Sequence, residues 1–449
     1  MGIISLINTL IMSPAMFCAL FVAGGFISLR IGFFFLRKPK AVFYALTEKG
    51  DGGGVSPFRA LTVALAGTLG VGNIVGIADA IRFGGAGAVF WMWVSAITAM
   101  SLKYAEVALA VKFRRGGRGG AFYYIRDALG RPRIAAVFAV LCVVTSFTLG
   151  NAVQVKAAAV AAEGVFGVPP LVCGIALCIL CALVVFGGIR KISDFTVKMI
   201  PAFCVCFAVF SLVLICANAH LIPSLLGRIF AEAVSLKSAG AGIGSYTFLR
   251  ALRYGCTRGI VSNEAGCGTA PIAHAAAKTN SPAKQGCYGI FEVFTDTVVL
   301  CTLTAFVMLI YPQNCTSSMM AVIGAFAGFY GNTAAYAVCI SILFFAFSTL
   351  ICWSYYGTES LHYLSASLLI KRTYLALFCL FCIAGAVCRE QAAWALSDLT
   401  VSLMTVINCV CLCFASGHIE KETRLYLSGL SACRVFPDKR RGRRRGVRR

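Results

Sequence analysis

With 449 residues, 59% of them hydrophobic, and a mean hydropathy of +0.85, the chain is too apolar for a water-soluble globule, in which the apolar share is about half. The net charge of +23 arises from 40 basic and 17 acidic residues, but the basic ones fall mostly between apolar runs and at the C-terminus, as in cytoplasmic loops rather than a nucleic-acid face. Most of the 22 cysteines lie inside apolar runs, Cys178, Cys181, Cys204, Cys206, Cys409, Cys411 and Cys413 among them. They read as small apolar fillers, because thiols in lipid meet neither an oxidant nor a hard ligand set.

The first apolar run, about Ile11 to Leu36, has no basic stretch and no small-residue cleavage site ahead of it, so it is expected to remain as a membrane span. Ten more runs long enough to cross about 30 Å of hydrocarbon follow. They are placed at about Pro57 to Arg82, Ala88 to Phe113, Ile134 to Ala161, Pro169 to Ile189 and Phe195 to Ile222. A loop of small and polar residues leads to about Gly242 to Ala277, and then come Gly286 to Tyr311, Thr333 to Tyr355, Tyr374 to Cys388 and Trp394 to Ser416. The expected fold is an all-α polytopic membrane protein of about 11 transmembrane helices.

Lysine and arginine mark one side of the membrane. Arg37, Lys38 and Lys40 follow the first span, Arg114, Arg115 and Arg118 the third, Arg190 and Lys191 the fifth, and Lys278 with Lys284 the seventh, whereas residues 312–332 hold neither type. Alternate loops therefore share the cytoplasmic side, with the N-terminus outside and the C-terminus inside. The tail from Arg434 to Arg449 holds nine basic residues, and its like-charged block Lys439 to Arg445 has no aromatic interleaving, which points to an anionic leaflet as its partner and not to nucleic acid.

Two spans are broken. Residues 67–76 read Gly-Thr-Leu-Gly-Val-Gly-Asn-Ile-Val-Gly, and each glycine costs about 1 kcal/mol against alanine in a helix interior. Irregular backbone at membrane depth is tolerated where it is buried in protein or lines a polar cavity, so the break marks a binding site. A second break, Arg258 to Pro271, adds three glycines, Asn263, Glu264 and a proline. The breaks lie five spans apart, an odd number, so the copies run in opposite directions. This predicts one N-terminal span and linker (1–56), a five-helix repeat (57–222), an external loop (223–241), an inverted five-helix repeat (242–417) and a basic cytoplasmic tail (418–449). Half-helix N-termini offer N–H groups and a positive dipole end to a carboxylate, and freed carbonyls can ligate a small hard cation. Isolated pairs such as Gly24-Gly25 fit close helix packing instead.

Charged residues inside spans cost about 3 kcal/mol each on insertion scales, so function or pairing is expected of Asp79, Glu106, Glu264 and Asp296. Lys103, three residues before Glu106, reads as its structural partner. Glu264 has two readings, a cation ligand or, preferred, a brace for the bend together with Arg258. Asn73 has two readings, a cation ligand or a cap on the half-helix.

The run from Thr68 to Trp93, with Lys103-Tyr-Ala-Glu106, Gly119 to Ile125, Gly150-Asn-Ala-Val-Gln154, Gly187 to Arg190, Arg258 to Pro271, Phe294-Thr-Asp-Thr297 and Phe347 to Gly357, resembles the signature of the alanine or glycine:cation symporter family. The resemblance spans roughly residues 56 to 417. It implies the inverted-repeat fold of the amino acid/polyamine/organocation superfamily, Na⁺-coupled uptake of small neutral amino acids, no organic cofactor, and a prokaryotic cytoplasmic membrane. Transferred residue by residue, it implies a substrate site of Thr68, Gly70, Gly72, Asn73, Gln154, Thr349 and Trp353. The Na⁺ ligands it implies are Thr68, Leu69, Asn73, Ser348 and Thr349.

Ala86, Asp79, Lys156 and Ile407 depart from the family pattern, and bear on substrate and ion stoichiometry more than on fold. Lys156, about 200° around a helix from Gln154, is expected off the site. A monomer or weak homo-oligomer is expected. An H⁺-coupled carrier and a transporter-like sensor without net transport are the alternatives. A channel would need a polar file or charged rings, and an enzyme a nucleophile–base or metal constellation; neither pattern is found.

Overall fold

The computed structural model describes residues 2–47, 55–234, 243–315 and 317–432. The region 433–449, and with it the expected lipid anchor of the tail, lies outside the described residues. Helices account for the regular structure, and among the described residues there is no strand, only one isolated bridge between Arg115 and Arg118. Among the described residues seven helices are long and apolar enough to cross a membrane, or eight if the bent pair around residue 70 counts as one span.

That pair is the first break. Ser56 caps its entry by accepting the Arg59 N–H, Pro57 sits in the first turn, and helix Pro57–Thr68 follows. Leu69 N–H still bonds to Leu65, but Gly70 is extended at φ −116°, ψ −159°. The chain restarts as a single turn, Val71–Asn73, and helix Val75–Gly84, bent by 63° from the first half. The second break is longer. Helix Ile243–Asn263 gives way to six irregular residues before the short helix Ala270–Ala275. Its path needs left-handed backbone at Gly266 (φ +83°) and Gly268 (φ +78°), where glycine carries no Cβ penalty.

The helices carrying the breaks pack on Gly87–Lys112 through small residues. A Cβ on Gly259 would lie 2.9 Å from Ser95 Oγ, and one on Gly24, in the N-terminal helix Ser13–Arg30, 2.8 Å from Thr98 Cβ. One turn on from Gly24, Ser28 and Ser101 share a hydroxyl bond of 2.6 Å. Such close approach is how helices adhere where lipid removes the hydrophobic drive. The outward faces are apolar and exposed, as at Leu183, Val205 and Phe414, while the interior holds the polar side chains.

Three stretches differ from the sequence reading. The expected external loop contains a helix, Ile222–Val234, whose Glu232 carboxylate accepts the Ala86 N–H at 2.6 Å. The loop free of Lys and Arg contains helix Ser318–Tyr330, and the tail begins with helix Ser416–Ala432. Each of these folds against the bundle, and tertiary contacts of that kind leave little periodicity to read. The sequence also holds two Cys-x-x-Cys pairs, Cys178/Cys181 and Cys379/Cys382, on the facing helices Pro170–Val185 and Leu368–Val387. Their thiols are free, and among the described residues no cluster is built to hold a metal.

Candidate functional site

The first break is held by two neighbouring helices. From Thr333–Leu364, Thr349 donates its hydroxyl to Ala66 carbonyl at 2.9 Å, and Cys352 its thiol to Val63 carbonyl at 3.0 Å. From the other side, Gln154 accepts the Val71 N–H on Oε1 at 3.1 Å and donates from Nε2 to Leu149 carbonyl at 3.2 Å. Gly70 lies between them. A Cβ there would meet Thr349 Oγ1 at 2.7 Å and Gln154 Oε1 at 2.9 Å.

Gln154 comes into reach because a π-helical segment, Thr148–Val153, precedes it in an otherwise α-helical span. Wide turns of this kind rotate the following residues and recur at functional sites. Gly150 in that segment leaves a notch, which the Trp353 side chain fills. Gly150 and Gln154 are four apart on one helix, and Trp353 and Thr349 four apart on the facing one. Trp353 therefore packs one turn from the Gln154–Thr349 pair. It is fully buried and donates its indole N–H to Glu264 Oε1 at 3.1 Å, joining the first break's wall to the second break.

The structure thus brings together Gly70, Gln154, Thr349 and Trp353. Thr68 turns its hydroxyl onto its own helix, toward the Ala64 and Leu65 carbonyls, and Ser348 donates within its helix to Phe345. Both retain oxygen lone pairs beside the break. Gly72 faces Ser262 of the second broken helix, with a Cβ 3.6 Å from its Cα.

Asn73 lies in a second polar cluster. Its Nδ2 donates to Asp296 Oδ1 at 2.5 Å, and helix Val75–Gly84 has no side-chain cap. The capping reading is thereby removed. The Asn73 Oδ1 is buried with no hydrogen-bond partner, and an unsatisfied acceptor beside a carboxylate is an arrangement that a cation would complete. Asp296 is fully buried and also accepts hydroxyl bonds from Ser262 at 2.9 Å and Thr297 at 2.8 Å. The sequence marked Asp296 as a costly intramembrane charge without assigning it to the site. A carboxylate flanked by threonine in Phe294-Thr-Asp-Thr297 was the available signal, and a second π-helical segment, Phe294–Cys301, sets its direction.

Two expected pairings are corrected. Arg258 does not brace Glu264; it lies in the helix before the break, pairs with Asp79 at 3.3 Å and stacks 5.1 Å over Trp394. Glu264 instead holds Trp353 and Thr269. Lys103 is paired not with Glu106 but with Glu292, at 3.4 Å, and Glu292 also receives His274 Nε2 at 3.0 Å. Glu106 accepts the Gly268 N–H at 2.9 Å and the Asn408 amide at 2.5 Å, tying down the second break. Helix geometry placed Lys103 and Glu106 on one face, but the facing helix offers a closer acid. Lys156 does lie away from the site, bonding to Ala386 carbonyl at 3.3 Å.

Removing one partner of a buried ion pair leaves an uncompensated charge, at a cost of about 3–5 kcal/mol. Lys103→Met is therefore expected to lower the thermal stability of the detergent-solubilised protein by that order. The double variant Lys103→Met/Glu292→Leu should recover part of the loss; a double variant no more stable than the single would show that the pair carries no coupling.

Two polar cavities flank the site. One, of about 420 Å³, is lined by Asp79, Arg258, Glu390, Trp394 and Asp398. The other, of about 280 Å³, is lined by Arg118, Tyr355, Thr358, Glu359 and Lys371. They lie at opposite ends of the bundle, since Val63 and Ala66 pair with Cys352 and Thr349 in antiparallel order. Gly70, Gln154, Thr349 and Trp353 line neither cavity and are buried.

The sequence profile of the sodium:alanine symporter family matches residues 1–435. The chain belongs to the sodium:alanine symporter family. A relative from Methanococcus maripaludis, the sodium/alanine symporter AgcS, is 36% identical over 95% of this chain and 98% of its own. The amino-acid carrier protein AlsT of Bacillus subtilis is 33% identical over 94% of this chain and 92% of its own. A putative sodium/proton-dependent alanine carrier of Bacillus subtilis, YrbD, is 32% identical over 90% and 88%. Among solved structures, a Na⁺-coupled sialic acid symporter in a substrate-bound outward-open state aligns at 12% identity, with a TM-score of 0.48, over 89% of this chain and 81% of that one. Membership makes the chain a multi-pass membrane transporter of the sodium-coupled amino acid symporter class, not an enzyme. The hydroxyl, carbonyl, amide and carboxylate oxygens around the breaks suit a hard cation such as Na⁺, while the Cys301 and Cys352 thiols beside them are taken up in hydrogen bonds.

Proposed function

We propose that this sodium:alanine symporter family member carries small neutral amino acids, alanine and glycine, into the cell with Na⁺ by alternating access. The observation that carries the reading is the convergence of Gly70, Val71, Gln154 and Thr349 in one buried site at the first break. Gln154 Oε1 occupies the Val71 N–H that a substrate carboxylate would take. In the loaded state the carboxylate takes that N–H, and the Gln154 amide turns its donor to the incoming oxygen. Trp353 closes the side-chain end, which limits the substrate to a small residue.

Na⁺ sits in two places on this reading. Thr349 and Ser348 hydroxyls, with the Ala66 and Leu69 carbonyls and Thr68, form one. Asn73 Oδ1 and Asp296 form the other, where Asp296 supplies a fixed charge. Either ion orders the break that the carboxylate needs, so ion and amino acid raise each other's affinity. Two inverted five-helix repeats, 57–222 and 242–417, rock about the site, the N-terminus is outside, and the C-terminal helix and tail face the cytoplasm of a prokaryotic cell, working as a monomer or weak homo-oligomer. The Arg258–Asp79 pair closes the outer end and Arg118–Glu359, at 3.6 Å, the inner one.

Purified protein in liposomes should accumulate labelled alanine or glycine under an inward Na⁺ gradient. Equilibration without the gradient would sink symport, and accumulation driven by H⁺ alone would replace Na⁺ as the coupling ion.

A further inference from the structure

Glu264 is a buried acid that the transport reading leaves without a role. It opens the second break at φ +51°, one of two non-glycine residues in the left-handed region among those described. Backbone strain of this kind persists where surrounding structure enforces it, and it concentrates at functional positions. Each of its carboxylate oxygens has one donor: Trp353 Nε1–H on Oε1 at 3.1 Å, and the Thr269 hydroxyl on Oε2 at 2.6 Å. A single hydrogen bond therefore links it to the indole that walls the amino acid site.

Its surroundings are short of positive charge. Lys103 and Glu106 face it from Gly87–Lys112, Glu292 from Pro282–Val293, Cys267 from the break itself, Cys352 and Tyr356 from Thr333–Leu364, and Cys142 from Pro132–Phe147. His274, from Ala270–Ala275, bonds to Glu292 through Nε2 and meets the Gln285 side-chain amide at Nδ1, 2.9 Å away. Lys103 thus faces three buried carboxylates, Glu106, Glu264 and Glu292, and its nearest ion-pair partner is Glu292. Glu106 shows the deficit directly, since its Oε2 is buried with no hydrogen-bond partner. Uncompensated charge in a water-excluded interior is costly, and a proton removes it.

The geometry points to Glu264 as a proton-binding residue that positions Trp353. Ionised, it holds the indole N–H by a charge-assisted bond. Protonated on Oε2, it donates to the Thr269 oxygen, whose own proton turns away, and Oε1 becomes a neutral and weaker acceptor. The indole is then less firmly held in the Gly150 notch, and amino acid affinity falls as the pH falls. This rests on the reading that the site beside Trp353 holds the amino acid.

The test is the KM for alanine in Na⁺-driven liposome uptake between pH 5.5 and 8.5, at one fixed Na⁺ gradient. The native protein should show KM rising at least about fivefold toward the acid end. Glu264→Gln, which keeps an oxygen for Trp353 but does not titrate, should hold a pH-independent KM, and so should Trp353→Phe, which has no N–H to lose. A flat native profile, or a Glu264→Gln profile that follows the native one, overturns the proposal. A second readout needs no transport: the chain has four tryptophans, and Trp91→Phe/Trp93→Phe/Trp394→Phe leaves Trp353 as the single emitter. Its emission in detergent should titrate with pH, with a midpoint moved by Thr269→Val; an emission independent of pH overturns the proposal. Titrating emission without Na⁺-driven uptake would instead sink the transport reading and leave the proton site standing.

Discussion

Gly70→Ala is expected to reduce Na⁺-driven amino acid uptake at least about 100-fold, the scale of loss that misplacing a site by about 1 Å produces. The added carbon would lie 2.7 Å from Thr349 Oγ1 and 2.9 Å from Gln154 Oε1, both closer than Cβ contacts occur. Neither neighbour can yield freely. Thr349 is fixed on Ala66 carbonyl and Gln154 on Leu149 carbonyl, and both are buried. The strain must be relieved by moving the break itself, which carries the Val71 N–H and the carbonyls on either side. Gly25 is the control, since a Cβ there meets nothing within 4 Å. Gly25→Ala should leave uptake within about twofold of native, because surface substitutions away from packing features are near neutral. The check is initial uptake rate in liposomes normalised to folded protein, and a Gly70→Ala protein as active as Gly25→Ala would remove the break from the site.

Asp296→Asn is expected to raise the Na⁺ concentration for half-maximal uptake at least about tenfold, equivalent to about 1.4 kcal/mol. The substitution keeps the shape and takes away the fixed charge. Among the described residues no basic side chain pairs with Asp296, while an amide and two hydroxyls donate to it and Asn73 Oδ1 stands unpartnered beside it. A buried carboxylate so placed favours an additional cation, and neutralising it removes that preference. Loss should appear in the Na⁺ dependence before it appears in the alanine dependence at saturating Na⁺. An unchanged Na⁺ dependence would exclude Asp296 from ion binding.

Both variants act on features that were legible to different degrees. The glycines of residues 67–76 announced a break because no other reading reconciles poor helix formers with membrane-grade apolarity, and the 63° bend is that prediction's structural form. Gln154, Thr349 and Trp353 came through family resemblance alone. Nothing in their spacing says that a π-helical segment turns Gln154 onto Val71, or that Gly150 is absent of side chain to admit Trp353. Partner choice among the charges was the least legible. Lys103 and Glu106 share a helical face, yet the ammonium goes to Glu292, 189 residues away in sequence, because in a low-dielectric interior the pairing is decided by which helix packs opposite. The same holds for Arg258, which crosses to Asp79 and leaves Glu264 to the indole.

By itself the sequence determined that this protein is a helical, multi-pass membrane protein with two interrupted spans, since apolar run length and glycine content are local properties that a bilayer reads directly. It also carried the family motifs. Only the tertiary structure decided which polar groups face each other across helices, which acid holds Trp353, and that Asn73 turns to Asp296 instead of capping its helix. Those outcomes depend on the rotation and register of helices packed in three dimensions, and a shift of one residue, about 100° around a helix, would replace every one of those partners.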